Sequence, residues 1–277
     1  MNHKVSLFHI GPPKTATTWM YQCLKEHPHI VTSPKDSVHY FDMFFHKGEA
    51  WYHRHFDHKE DAVLYDPTPA YSLSAVAPER IAAYNPDARI ILCLRHPIER
   101  AFSNYWHAKK KNEINVSFDH VLKSYEYFSW WLEAGMYGTI LERWLRYFPR
   151  EQILVQFFDD IQKDPRAFMQ EIYAFADVDT SFMASSLQRK INTAGVKHNF
   201  LFRTLRAMAK ALRVKELLPG RWYRKLKSDR AQQIVSRKKE YARGVEDGLY
   251  QELLEVVMPD IEKLEQLLNV NLDHWKQ

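Results

Sequence analysis

Cysteine is scarce in this chain: Cys23 and Cys93 are the two among 277 residues. Both fall in segments patterned as core, so they read as buried thiols, and a disulfide framework or a cysteine-built metal site is excluded. No apolar run approaches the ~18 residues that a membrane span needs. No charged n-region with an apolar stretch behind it precedes the first strand, which begins within a few residues of Met1, so no secretory signal is expected. There is no internal repeat, no low-complexity tract and no Pro/Gly/Ser-rich linker. Glycine is also sparse, eight in all, and nowhere does Gly, four residues, then Gly-Lys-Ser/Thr occur. A standard nucleotide-triphosphate loop is therefore missing.

What is present is enough apolar sequence, 45% of residues, to bury one substantial core. Strand-like runs at Val5–Ile10, Ala62–Tyr65, Ile90–Leu94 and Ile153–Phe157 alternate with helical patterns. That alternation predicts an α/β fold, a P-loop-like central parallel sheet with helices on both faces, in a single domain over 1–277. Ligands in such sheets bind beyond the carboxyl ends of the strands.

Two segments place chemistry there. In Phe8-His-Ile-Gly-Pro-Pro-Lys-Thr-Ala-Thr-Thr-Trp-Met20 a buried strand ends at Gly11. A helix patterned over Thr15–His27 follows, with Trp19, Met20, Cys23 and Leu24 on its apolar side. Lys14 and the hydroxyls of Thr15, Thr17 and Thr18 cluster at the helix N-terminus. Unpaired backbone N–H groups and the positive dipole end gather there. This is a phosphate cradle. In Arg89-Ile-Ile-Leu-Cys-Leu-Arg-His-Pro-Ile-Glu-Arg-Ala-Phe-Ser-Asn-Tyr-Trp-His107 the plan repeats, with Arg95 at the strand end and Pro97 opening a helix. Arg100, Ser103 and His107 are spaced to share one helical face. A strand-end arginine and a helical serine make a second oxyanion site.

Together these segments resemble the sulfotransferase superfamily. The first is similar to its 5′-phosphosulfate loop, Pro-Lys-x-Gly-Thr-Thr, and the second to its 3′-phosphate motif, Arg-x-Pro-x-x-Arg-x-x-Ser-x-Tyr. The resemblance implies 3′-phosphoadenosine 5′-phosphosulfate (PAPS) as sulfuryl donor, held by Lys14, Thr15, Ala16, Thr17, Thr18, Trp19, Arg95 and Ser103, with no metal. Ala16 stands where most members carry glycine, and an ordinary helical φ is expected there. His39-Tyr-Phe-Asp42, Trp51-Tyr52 and Asp66-Pro-Thr-Pro-Ala-Tyr71 echo the carbohydrate branch typified by heparan sulfate sulfotransferases. Gly135–Phe148, Ile153–Pro165 and a closing helix over Leu264–Trp275 match in order. Golgi members of that branch carry an N-terminal anchor, and a bacterial cytoplasmic enzyme is expected here.

Sulfuryl transfer moves a charged group in line between two oxygens, much as phosphoryl transfer does, so a cation beside the departing oxygen lowers the barrier. Lys14 is placed for that role. The attacking group also needs a base. In the carbohydrate branch a glutamate shortly before a His-Phe-Phe-Asp-like run serves, and Lys35-Asp36 precedes His39-Tyr-Phe-Asp42 with one extra residue and Asp for Glu. Asp36 is the first candidate; His39, Asp66 and His107 are the alternatives. His107 resembles a histidine at that place in the N-sulfotransferases. A third cofactor contact is expected from the basic loop Gln188–Gly195, through Arg189, Lys190 and Asn192.

Other clusters invite blander readings. His53, His55 and His58 suggest a metal, but Trp51–Phe56 matches a family stretch that binds none. The aromatics from Tyr125 to Trp131 read as packing before sugar stacking. Residues 195–244 hold fifteen Lys/Arg against three Asp/Glu, a formal +12, leaving −7 for the rest of the chain. Phe200, Leu201, Leu205, Met208 and Leu212 recur there at helical spacing between basic residues, a basic amphipathic helix. It suits a solvated face, an anionic membrane surface or an acidic glycan; nucleic acid is not expected. The expected acceptor is a saccharide, a glycolipid or a small alcohol. The alternative is a P-loop kinase or nucleotide-binding module with a degenerate loop, which would need a strand-end Asp for Mg²⁺.

Overall fold

The computed structural model describes residues 4–34, 37–57, 59, 61–188 and 244–277. Asp36, Arg189, Lys190, Asn192, His58 and nearly all of the basic stretch 195–244 lie outside the described residues. Five parallel strands form one sheet in the order β2-β3-β1-β4-β5: β1 (Leu7–Gly11), β2 (Ile30–Thr32), β3 (Val63–Asp66), β4 (Arg89–Leu94) and β5 (Ile153–Phe157). The expected α/β sheet is present. Four of its strands fall where the apolar runs predict, within two residues at each end. The three-residue edge strand β2 is too short to give a pattern.

Side chains alternate across the pleat, so each central strand serves two cores. Phe8 and Ile10 of β1, with Ile90, Leu92 and Leu94 of β4, face one cluster; Leu7, Ile91 and Cys93 face the other. The first cluster is closed by α3 (Ala77–Tyr84), α4 (Pro97–Lys111), α6 (Tyr137–Leu145) and α9 (Asp247–Leu268). The second is closed by α1 (Thr17–Glu26) and α8 (Pro165–Phe175). The short α2 (Glu49–His53) and α5 (Tyr125–Tyr127) add Tyr52 and Tyr127 to the first cluster, and α7 (Phe158–Lys163) adds Phe158 and Ile161 to the second. Cys23 and Cys93 are free and buried, as expected.

The closing helix differs from the expected Leu264–Trp275. It starts at Asp247, ends at the left-handed Asn269 and is followed by a short turn of helix, Asp273–Trp275. Its Asp260 accepts the N–H groups of Gly138 and Thr139, both at 2.8 Å, and the Thr139 hydroxyl at 2.7 Å. That carboxylate satisfies the open N-terminus of α6. A Cβ on Gly138 would stand 2.5 Å from the Asp260 carbonyl, so the two helices touch backbone to backbone. Among the described residues no helix is long and apolar enough to cross a membrane.

The chain reverses direction across the sheet at β1. The connection leaving β1 runs toward β2 on one side, and that leaving β4 runs toward β5 on the other. A crevice therefore opens between the carboxyl ends of β1 and β4, the topological switch point where such sheets hold ligands. The loop after β1 is unusual. Gly11 has φ +99°, and a Cβ there would lie 2.4 Å from the Pro69 carbonyl oxygen, so glycine is required on two counts. Lys14 (φ 80°) and Ala16 (φ 63°) are also left-handed.

The helical φ expected of Ala16 is thus corrected. The residue caps α1 from the left-handed region, and its carbonyl accepts from the N–H groups of both Trp19 and Met20. An L-residue pays roughly 1–2 kcal/mol for that conformation. Ala16→Gly should therefore stabilise the fold by about 1 kcal/mol, a rise of roughly 2–4 °C in Tm by calorimetry. An unchanged or lowered Tm would show that the loop carries no such strain.

Candidate active site

The phosphate loop is held from within. The buried Thr15 donates its hydroxyl to the Pro12 carbonyl at 2.8 Å, so its proton is directed into the loop and not out of it. Arg100 lies fully buried beneath, donating to the Pro13 carbonyl at 3.3 Å and to the Trp131 carbonyl. Trp19 turns away from the crevice: its indole packs on Phe168 and donates to the Ser186 carbonyl at 3.2 Å. What the loop presents outward is Lys14, Thr17, Thr18 and the first N–H groups of α1, which have no acceptor within the helix.

Arg95 sits at the end of β4, where its guanidinium stacks over Phe158 and pairs with Glu99 at 3.1 Å. Glu99 is 59% exposed, and such a pair contributes at most about 1 kcal/mol. A better anion displaces it readily. One turn into α4 the stripe predicted by spacing runs from core to solvent: Arg100 is buried, Ser103 half-buried and His107 exposed. Two residues were not singled out from the sequence, and a third, Arg100, was placed on the stripe without its role. Lys110 and Lys111 extend the Ser103–His107 stripe by one more turn, a signal available from periodicity alone, and Arg100 acts as a clamp under the loop.

These groups form one field. Burial holds the Lys14 ammonium down at about 8, and Lys110, Arg95, Lys111 and Arg100 each push the same way. Arg100 is lowered to about 10 by burial. Partial withdrawal from water, then Lys14 and Lys111, hold His107 down at about 4. At neutral pH His107 is an uncharged hydrogen-bonding ring and a weak base. Crowded cations around a half-buried lysine are a built anion receptor.

On the other side of β1, Pro69 touches Gly11, and the preceding turn carries Thr68 against residues 38 and 39. This seats His39-Tyr-Phe-Asp42 against the turn that touches the carboxyl end of β1. His39 Nδ1 is 2.9 Å from Asp42 Oδ2, and that contact raises the imidazole above its ordinary range. A half-buried histidine oriented by a carboxylate has the arrangement of a general base. Asp66 is fully buried with hydroxyl partners on both oxygens, which leaves no oxygen to meet an acceptor.

Residues 5–235 match the family model for the sulfotransferase domain. The chain belongs to the sulfotransferase family. Human bifunctional heparan sulfate N-deacetylase/N-sulfotransferase 2 is 32% identical to it over 189 residues, 61% of this chain and 21% of that protein. Mouse heparan sulfate glucosamine 3-O-sulfotransferase 3A1 is 31% identical over 173 residues, 60% of this chain and 44% of that protein. The chain thus spans less than half the length of these curated relatives. A sulfotransferase from Alicyclobacillus acidocaldarius shares its fold, with a TM-score of 0.73 at 22% identity, covering 99% of this chain and 100% of that one.

In this sulfotransferase it is the family match that sets the kinase alternative aside. Asp159 and Asp160 stand in the first turn of α7, where Asp160 pairs with Lys163 at 2.8 Å. Among the described residues no group of three His, Cys, Asp or Glu is arranged to hold a metal. The ring of His53 meets the Tyr84 hydroxyl, and that of His55 meets the carbonyls of Trp51 and Tyr52. The aromatic cluster divides: Trp131 is buried and stacks on Tyr127, while Tyr125 and Trp130 are exposed.

The sign of the Lys14 perturbation gives a test. Its charge is present below about 8 and lost above. Affinity for adenosine 3′,5′-bisphosphate should fall up to roughly tenfold from pH 7 to 9 by calorimetry, since bound anion holds the proton that free Lys14 releases. Lys14→Gln should bind more weakly with a flat profile. A flat wild-type profile would remove Lys14 from the anion site.

Proposed function

We propose that this sulfotransferase moves a sulfuryl group from PAPS to a hydroxyl or amine of a saccharide acceptor. The observation that carries the reading is the cation cluster around Lys14 at the switch point, together with the family. Both relatives are named for heparan sulfate, one for N- and one for 3-O-sulfation, which supports a saccharide and leaves amine and hydroxyl both open. The basic stretch 195–244 suits an acidic glycan of that kind.

The residues present fit the donor. The cluster offers two anion subsites, Lys14 with the N-terminus of α1 and Arg95 with Ser103, for a molecule with phosphate at both ends of its ribose. When bound, PAPS supplies the sulfuryl group on a phosphate leaving oxygen. Lys14 and the Thr17 and Thr18 N–H groups hold the 5′ end, and Lys14 offsets negative charge as it grows there. Arg95 and Ser103 hold the 3′-phosphate, with the loop Arg189, Lys190 and Asn192 as further contacts outside the described residues. Arg100 keeps the loop fixed, so no reorganisation is needed when charge develops.

On the acceptor side the nucleophile must lose its proton as its bond to sulfur forms. His39, oriented by Asp42, accepts that proton at its free nitrogen. Neutral His107, beside Lys14, donates or accepts a hydrogen bond without adding charge. Asp36, the first candidate from the sequence, lies outside the described residues, and its variant tests this assignment.

His39→Ala should lower turnover roughly 10²–10⁴-fold with little change in adenosine bisphosphate affinity. Asp36→Asn should do less, and the reverse ranking in single-turnover assays moves the base to Asp36. Lys14→Ala should cost mainly kcat, whereas Arg95→Ala and, more mildly, Ser103→Ala should raise the KM for PAPS. If PAPS neither raises the melting temperature nor labels any member of a saccharide panel, while ATP with Mg²⁺ does stabilise the protein, the sulfotransferase activity is wrong.

A further inference from the structure

Asp66 is the last residue of β3 and fully buried, and among the described residues its hydrogen-bond partners are hydroxyls. Its Oδ1 accepts from the Thr68 hydroxyl at 2.6 Å; its Oδ2 accepts from the hydroxyls of Tyr52 at 2.7 Å and Tyr71 at 3.1 Å. Two of these hydroxyls have a second set of partners. Thr68 Oγ1 accepts from the N–H of Val38 at 2.9 Å and, at the limit, of His39 at 3.5 Å. The Tyr71 oxygen accepts from the N–H groups of Tyr40 at 3.0 Å and Phe41 at 3.3 Å.

The direction of these bonds matters. A hydroxyl has one proton and two lone pairs. Because the carboxylate takes each proton, the lone pairs of Thr68 and Tyr71 are turned toward the four amides. Those amides belong to a segment that is neither helix nor strand, so no ladder satisfies them, and His39 within it is left-handed at φ 57°. Unpaired buried amides are costly. The conformation that pairs His39 with Asp42 thus depends on a carboxylate two bonds removed from it.

We propose that Asp66 is a positioning residue for the acceptor side: through the Thr68 and Tyr71 hydroxyls it fixes the Val38–Phe41 backbone and so aims the His39–Asp42 pair. The proposal rests on the assignment of His39 to the acceptor side of sulfuryl transfer. An amide cannot replace the carboxylate. In Asp66→Asn one acceptor oxygen becomes a donor: turned one way the amide opposes the Thr68 proton, turned the other it opposes those of Tyr52 and Tyr71, so either way a relay hydroxyl must swing its proton toward the backbone N–H groups. The groups facing Asp66 are Tyr65 of β3, Tyr52 of α2, Tyr71, Tyr84 of α3, and Asp42 and His39 of the segment itself. Burial raises Asp66 to about 6 against the pull of its three hydroxyl donors. At neutral pH it remains the carboxylate that the relay needs.

The test separates the relay from simple core packing. Thr68→Val and Tyr71→Phe keep volume and remove one relay oxygen each. Thr68→Val should speed hydrogen exchange at Val38, and Tyr71→Phe at Tyr40 and Phe41. Each should lower kcat/KM for the acceptor roughly 10- to 100-fold, as expected for stranded amides, while the KM for PAPS holds. Thr68→Ser, which restores the hydroxyl, should recover both readouts. Tyr52→Phe removes a hydroxyl that bonds Asp66 and none of the four amides while keeping the ring that packs on Tyr40 and Phe41, and should leave exchange at residues 38–41 as in the wild type. Asp66→Asn should speed exchange at one pair of amides at least, Val38 and His39 or Tyr40 and Phe41, if it folds; the hydroxyl variants decide the matter if it does not. Unchanged exchange at 38–41 in both hydroxyl variants overturns the proposal, as does equal loss in Tyr52→Phe. If the wild type transfers no sulfuryl group, the functional assignment fails, and the exchange pattern still decides whether the relay exists.

Discussion

Arg100 lies under the phosphate loop with one arm on the Pro13 carbonyl and another on the Trp131 carbonyl. Burying a guanidinium is costly, and carbonyl oxygens orient it without cancelling its charge. Both properties serve the site. The loop above contains two left-handed residues without glycine's freedom, Lys14 and Ala16, and needs a support outside itself. The uncancelled charge adds to that of Lys14, Arg95, Lys110 and Lys111, so the crevice between β1 and β4 stays positive before any ligand arrives. The left-handed loop and the lowered Lys14 are arranged around that buried cation, and Lys14 in turn helps to keep His107 neutral.

Donor and acceptor halves are built by opposite means. On the donor side, like charges are held together and wait for an anion. On the acceptor side, the network is a carboxylate wrapped in hydroxyls, and the His39–Asp42 ion pair there is local. The halves meet where Gly11 touches Pro69, a contact with no room for a side chain. Opposite electrostatics across so short a distance suit a reaction in which one partner gains negative charge while the other gives up a proton.

The sequence made the strands legible because four of the five are apolar and long enough to register, and it made Lys14, Arg95 and Ser103 legible because each stands at a strand end or on a helical stripe. Ala16 was misjudged for a physical reason. Alanine is a strong helix former, and propensity says nothing about a cap whose φ is set by Arg100 and Thr15 holding the loop. Thr15 and Trp19 belong to the motif, but Thr15 turns its hydroxyl inward to the Pro12 carbonyl, and the direction of Trp19 depends on Ser186 and Phe168, more than a hundred residues away in sequence. Asp66 carried no signal of its role, since its partners at positions 38–41, 52, 68 and 71 assemble only once β3 lies beside β1. Composition marked the basic stretch 195–244, though it lies almost wholly outside the described residues.

The hydroxyl contacts from Thr68 and Tyr71 to the backbone at 38–41 also set a rule for exchanging parts between relatives. Neither segment keeps its conformation alone: the first supplies amides, the second the oxygens that receive them. A chimera that imports residues 37–53 from another sulfotransferase to change its acceptor would bring amides without their matched oxygens. The transferable module is therefore discontinuous, residues 37–53 together with 66–71, and the boundary on its far side is the Gly11–Pro69 contact.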